Sequence, residues 1–148
     1  MERRVGTVLA QVARLMRRAF DERAREIGVT RPQWQVLSVL RRHEGIRQAG
    51  LAEVLEVEPI TAARMIDRMQ EAGMVERRAD RADRRAWNLH LTDRGSEMIE
   101  RLQPLAIETS DTAMAGVSEA DKAQLLTTLE TILGNLTGKP AGGDPLDG

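Results

Sequence analysis

Apolar residues recur at three- and four-residue intervals along the first stretch of the chain: Val5, Val8, Leu9, Val12, Leu15, Met16, Ala19, Phe20 and Ile27. That spacing predicts one amphipathic helix over residues 2–27, ended by Gly28. Thr30-Arg-Pro-Gln33 reads as the start of a second helix, with Thr30 as N-cap, Gln33 at the capping-box position and Pro32 in the first turn. Trp34, Leu37 and Leu40 form its inward side, and Glu44-Gly45 ends it. A short third helix runs from Gln48 to Leu55 with Leu51, Ala52 and Leu55 inward, and the turn Glu56-Val57-Glu58 leads to a fourth. From Pro59 to Ala72, Ala62, Ile66 and Met69 share one side, while Thr61, Arg64, Arg68 and Glu71 share another. Gly73 stops this helix.

The period then changes. Met74–Arg78 and Trp87–Leu91 read as short strands, and Trp87, Leu89 and Leu91 alternate with Asn88 and His90 as in a half-buried strand. The loop between them carries Arg81, Arg84 and Arg85. Two short helices across a tight turn, followed by an Arg-tipped hairpin, make a winged helix-turn-helix, whose fourth helix would fill a major groove and whose hairpin would reach an adjacent minor groove.

Thr92 caps a long fifth helix over about Asp93 to Met114, with Met98, Leu102, Leu105 and Ile107 as its larger apolar residues and Pro104 placed to bend it or break a hydrogen bond. Ser118-Glu-Ala-Asp121 starts a last helix to about Asn135, striped by Leu125, Leu129, Ile132, Leu133 and Leu136. The tail from Gly138 to Gly148 is expected to be disordered. The predicted fold is mainly α with a small β-hairpin: a winged helix-turn-helix at 29–96, flanked by dimerisation helices at 1–28 and 97–137. The apolar faces of the outermost helices either pack on each other within one chain or interleave with a second copy, and paired half-sites on DNA favour the second.

Composition narrows the function. With no cysteine, disulfides, thiolate nucleophiles and thiol redox sensing are excluded, and two histidines make a structural zinc site a poor fit. The N-terminal segment holds no continuous apolar stretch, so no secretory signal is expected and a cytoplasmic location follows. Residues 1–50 carry 11 basic and 5 acidic groups, whereas residues 97–148 carry 3 and 9, so the net charge of −1 conceals a gradient suited to one polyanion-facing side. Twenty of the 22 basic residues are arginine, whose planar fork suits phosphates and guanine edges, although a GC-rich genome would also favour it. No nucleophile–base motif, phosphate-cradling glycine loop or metal cluster appears, which argues against an enzyme and against a cofactor.

The run from Gln33 to Gly95 resembles the MarR family of regulators. The matching pieces are Gln33-Trp34, Leu51-Ala52, Arg64, Ile66-Asp67-Arg68, Gly73-Met74-Val75, Asp83-Arg84-Arg85 and Leu91-Thr92, in the expected order. The resemblance implies a homodimeric transcription factor, usually a repressor, on a pseudo-palindromic operator. It also implies a crevice between dimer helices and winged domain for a small ligand, often an aromatic anion. Pro59, Thr61 and Arg64 are then expected to meet DNA, with Thr61 and Arg64 at base edges and phosphates and Pro59 at the start of their helix. Arg68 is expected to reach phosphate or to pair with Glu71 or Glu76, and Gln48 to donate to a phosphate. Arg81, Arg84 and Arg85 belong to the wing, with one of Arg84 and Arg85 in the minor groove. Asp83 and Asp67 read as structural, and His90 as facing solvent. Trp34 reads first as core; Met16, Phe20, Leu37 and Met98 beside it could line the crevice, with Arg17 or Arg41 meeting a ligand carboxylate. The competing reading is a winged-helix protein–protein interaction module without ligand response, which the net negative charge mildly favours.

Overall fold

The computed structural model describes residues 2–138, with side chains from Arg4 onward; nearly all of the expected tail lies outside the described residues. The chain divides into two compact units after Ser110. The first contains α1 (Glu2–Glu26), α2 (Arg31–Arg42), α3 (Gln48–Leu55), α4 (Pro59–Glu71), β1 (Val75–Ala79), β2 (Trp87–Leu91) and the greater part of α5 (Asp93–Ala113). The second contains α6 (Glu119–Thr137). The architecture is mainly helical with one antiparallel hairpin, as the periodicity predicts.

The core of the first unit sits where α2, α3, α4 and the hairpin meet. Leu37, Leu40, Leu51, Ile66, Met69, Val75 and Leu89 are fully buried there. On α4 the buried residues are Ala62, Ile66 and Met69, so apolar spacing alone set the rotation of this helix. Gly73, at φ +74°, takes the left-handed turn after α4. Met74 N–H then donates to the Met69 carbonyl at 3.0 Å. That bond commits Met74 to closing the helix, so the ladder begins at Val75, one residue later than expected.

The hairpin pairs Val75 with Leu91 and Ala79 with Trp87. The chain at Gly45–Arg47 adds itself to β2: Gly45 N–H donates to the Leu89 carbonyl, Leu89 N–H to the Ile46 carbonyl, both at 2.9 Å, and Arg47 bridges Asn88. The hairpin and this third segment correct two expectations. His90 does not face solvent; its ring is half-buried beside Gly45, with Nδ1 3.6 Å from a Glu44 carboxylate oxygen. Trp87 does not share the burial of Leu89, being 47% exposed, because it sits at the far end of the ladder beyond the reach of the core.

Among the described residues α1 joins the core at its C-terminal part, through Ala24 and Phe20, with Ile27 just beyond the helix packed against the same core. Its Val5, Val8, Leu9, Val12 and Leu15 are 39–56% exposed. α5 buries Gly95, Ile99 and Leu102, leaves Ile107 exposed, and continues through Pro104. In the second unit Ser118 Oγ accepts from Asp121 N–H at 3.1 Å, the N-cap expected for α6. No residue of α6 is buried, and Leu125, Leu126, Leu133 and Leu136 are all exposed. No helix among the described residues is long and apolar enough to cross a membrane.

One polar cluster fastens α1 to α2. Asp21, on the buried side of α1, accepts from Arg31 Nε and from Trp34 Nε1, each at 2.7 Å. Burial alone would raise its pKa, but the hydrogen bonds from Arg31 and Trp34, with the charges of Arg31 and Arg25, hold the carboxyl below its usual range. The stability it contributes is therefore complete above the ordinary carboxylate range and is lost as pH falls through its own lower value. Asp21→Asn is expected to cost roughly 1.5 kcal/mol at neutral pH. Paired denaturant titrations should show the difference from wild type shrinking as the pH is taken below the ordinary carboxylate range.

Candidate nucleic-acid interface

Because Ala62, Ile66 and Met69 fix the inward side of α4, the residues between them are turned outward. Thr61, Arg64 and Arg68 are exposed, and neither guanidinium has an ion pair or hydrogen bond among the described residues. Arg68 does not pair with Glu71 or Glu76; Glu76 Oε1 accepts instead from Arg78 Nε at 2.6 Å. Pro59, in the first turn of α4, is also exposed.

The hairpin tip is organised by aspartates. Asp80 Oδ1 accepts from the backbone N–H of Ala82 at 2.8 Å and of Asp83 at 3.1 Å, and Asp80 Oδ2 lies 3.2 Å from Arg47 Nη2. The two backbone N–H groups dominate in lowering the Asp80 pKa; burial opposes them, and the Arg47 charge and the Asn88 side chain add to them. Asp83 Oδ1 accepts from Arg85 N–H at 2.9 Å. These bonds fold the tip without using an arginine side chain from it. Arg81, Arg84 and Arg85 remain exposed, with no partner for their guanidinium groups among the described residues. A cleft of about 360 Å³ lies between the hairpin and the start of α3 and α4, lined in part by Arg47, Gln48, Pro59, Arg85 and Trp87.

Arg77 is the functional-looking residue that sequence reasoning passed over. Its Nε donates to Gln48 Oε1 at 3.1 Å, Nη1 to Gln70 Oε1 at 3.0 Å and Nη2 to the Ala63 carbonyl at 3.1 Å, and Nη2 lies 2.7 Å from Asp67 Oδ1. One guanidinium thus ties β1 to two turns of α4 and to the first residue of α3. A signal was available: Val75 and Arg77 share a face of β1, and Val75 points into the core. A cation on that face needs acceptors nearby. Asp67, expected to be structural, is one of them.

A second concavity, of about 340 Å³, is lined by Phe20, Ser38, Arg41, Arg42, Ile99, Leu102, Gln103 and Ala106. Of the crevice candidates it brings together Phe20 and Arg41. Trp34 stands edge-on to Phe20 with ring centroids 5.0 Å apart and donates to Asp21. Leu37 is fully buried in the core, Met16 and Met98 are half-buried, and Arg17 is exposed. Gln103, with its amide oxygen turned to Arg41, accepts from that guanidinium at 3.2 and 3.3 Å.

Residues 29–87 match the family model described as MarR family. The crystal structure of the transcriptional regulator PA3341 is 33% identical over 91% of this chain and 99% of its own length, with a TM-score of 0.79. The chain belongs to the MarR family of transcriptional regulators. A MarR transcriptional regulator from Methanosarcina mazei Go1 shares the fold, with a TM-score of 0.80 at 24% identity over 88% of this chain and 94% of its own. A mutant MarR from E. coli, crystallised in complex with operator DNA, is 25% identical over 87% of this chain and 93% of its own, with a TM-score of 0.76. The MarR-family match begins at Val29, just after α1, and ends at Trp87, where β2 starts. It therefore spans α2, α3, α4, β1 and the arginine-bearing tip, whereas α1 and α6 lie outside it.

Proposed function

We propose that this MarR-family chain is a sequence-specific DNA-binding regulator that acts in the cytoplasm as a homodimeric repressor. The observation that carries the reading is the set of exposed, unpaired guanidinium groups on α4 and on the hairpin tip: Arg64, Arg68, Arg81, Arg84 and Arg85. Carboxylates are abundant in this chain, yet none neutralises these five among the described residues. Arginines left unpaired on an outward helix and its adjoining wing suit a duplex, with α4 in the major groove and the tip in the minor groove. That a mutant MarR from E. coli was crystallised in complex with operator DNA supports extending operator binding to this chain. Thr61 and Arg64 would read base edges near Pro59, while Gln48, Arg68 and two of the wing arginines would meet backbone phosphates.

The exposed apolar stripe of α1 supports the dimer: Val5, Val8, Leu9, Val12 and Leu15 lie at helical spacing and are exposed among the described residues. In the second unit the exposed leucines of α6 also need cover. The concavity between Phe20, Arg41 and Leu102 suits a small aromatic anion, with its ring on the apolar wall and its carboxylate at Arg41. A ligand that prefers a dimer with mis-spaced α4 helices weakens DNA binding by its differential affinity for the two states.

Titration of the DNA upstream of the chain's own gene against salt tests the core of this reading. Two protomers that each set at least two arginines on phosphates give a slope of log K against log salt of about −4 or steeper. A monomeric protein, or an affinity indifferent to salt, overturns it. The ligand is tested separately by thermal shift with aromatic carboxylates, where Arg41→Ala is expected to remove any stabilisation seen with the wild type.

A further inference from the structure

Arg77 points to more than a fold contact. Gln48 is the first residue of α3 and lines the cleft that also holds Arg47, Pro59, Arg85 and Trp87. A glutamine amide offers an acceptor on one side and two donors on the other, and an unrestrained one can present either. Toward a phosphate only the donor side is favourable. Arg77 removes the choice, because its Nε–H can be satisfied only by the oxygen of Gln48, 3.1 Å away. Nor can Arg77 easily turn aside: its other two nitrogens are held by Gln70, the Ala63 carbonyl and Asp67 along α4. Gln48 Nε2 is left with no partner among the described residues. The Arg77 side chain is itself only 18% exposed and its charge is met by Asp67, which makes it a poor phosphate ligand in its own right.

We propose that Arg77 is a positioning residue for DNA binding, which locks the Gln48 amide with its N–H pair committed to a backbone phosphate. The role rests on the DNA-binding reading above. Within it, Arg77 orients the donor and α4 anchors Arg77, so the phosphate grip at α3 and the base-reading helix are set by one guanidinium.

The test uses the full-length protein, with Arg77→Lys, Arg77→Ala, Gln48→Ala and the Arg77→Lys/Gln48→Ala double variant, titrated with upstream DNA over a range of salt. Arg77→Lys keeps the charge but not the fork, and is expected to weaken binding roughly tenfold. Gln48→Ala should lose a similar factor, and the double variant no more than either single one. The salt slope should stay at the wild-type value even in Arg77→Ala. A slope flattened by about 0.9 per protomer would make Arg77 a phosphate ligand and overturn the positioning role. So would additive losses, or unchanged affinity in variants that melt earlier, which is what a purely structural residue would give. The side-chain amide resonances of Gln48 supply a reading without DNA: two well-separated protons in wild type, drawing together in Arg77→Lys. If wild type binds no DNA, the functional reading falls and the positioning role with it. If it binds but the amide resonances ignore Arg77→Lys, only the positioning role falls.

Discussion

Gly95→Ala is expected to lower the melting temperature by roughly 10 °C, from a loss of about 3 kcal/mol or more. Gly95 lies in the first turn of α5, where its N–H donates to the capping Thr92 Oγ1 at 3.1 Å. Thr92 in turn donates its hydroxyl to the Gly73 carbonyl at 2.5 Å, and its N–H to the Met74 carbonyl at 3.1 Å. A Cβ on Gly95 would stand 2.2 Å from that same Met74 carbonyl oxygen and 3.3 Å from Leu91 Cδ2. The first of these is a backbone atom held in place by the turn after α4, so no rotamer change relieves the overlap. Either α5 moves off the hairpin or the turn opens, and both break the packing that sets β2 against the core. Differential scanning calorimetry of the purified variant checks this. An unchanged melting temperature would mean that the start of α5 can shift freely, contrary to the bonds that Thr92 makes.

Arg64→Ala is expected to remove sequence preference at one position in each half-site, costing about 1–3 kcal/mol per half-site if the arginine forks onto a guanine. Arg85→Ala should behave differently: weaker binding to all sequences, with little change in which base is preferred at any position. The two are separable because Arg64 is on the outward side of α4, near Thr61, whereas Arg85 is on a hairpin tip shaped by Asp80 and Asp83. Binding titrations against a set of single-base operator variants distinguish them. If both variants bind every sequence as wild type does, the residues assigned to DNA are the wrong ones, whatever the family.

The register of α4 shows how far a linear pattern reaches. Ala62, Ile66 and Met69 sit at a helical spacing, a helix has one rotation that buries all three, and Thr61, Arg64 and Arg68 are outward as a consequence. The capped starts of α2 and α6 were legible for a similar reason: Gln33 and Ser118 act on backbone groups three residues away. The half-buried setting of His90 was not, because it depends on where Gly45–Arg47 returns to pair with β2, some forty residues distant in the chain.

The sequence by itself determined the helices and hairpin to within a residue or two, the side of α4 turned outward and the arginines that line it and the wing. All of these follow from interactions spanning one or two turns, whose period is written into the order of apolar and polar residues. Only the tertiary structure decided that Arg77, rather than any of the exposed arginines, joins α3, α4 and β1, that Asp21 holds Arg31 and Trp34, and that Gly95 has no room for a methyl group. Each of these depends on atoms brought together by the packing of separate elements, and no periodicity along one element records what another will place against it.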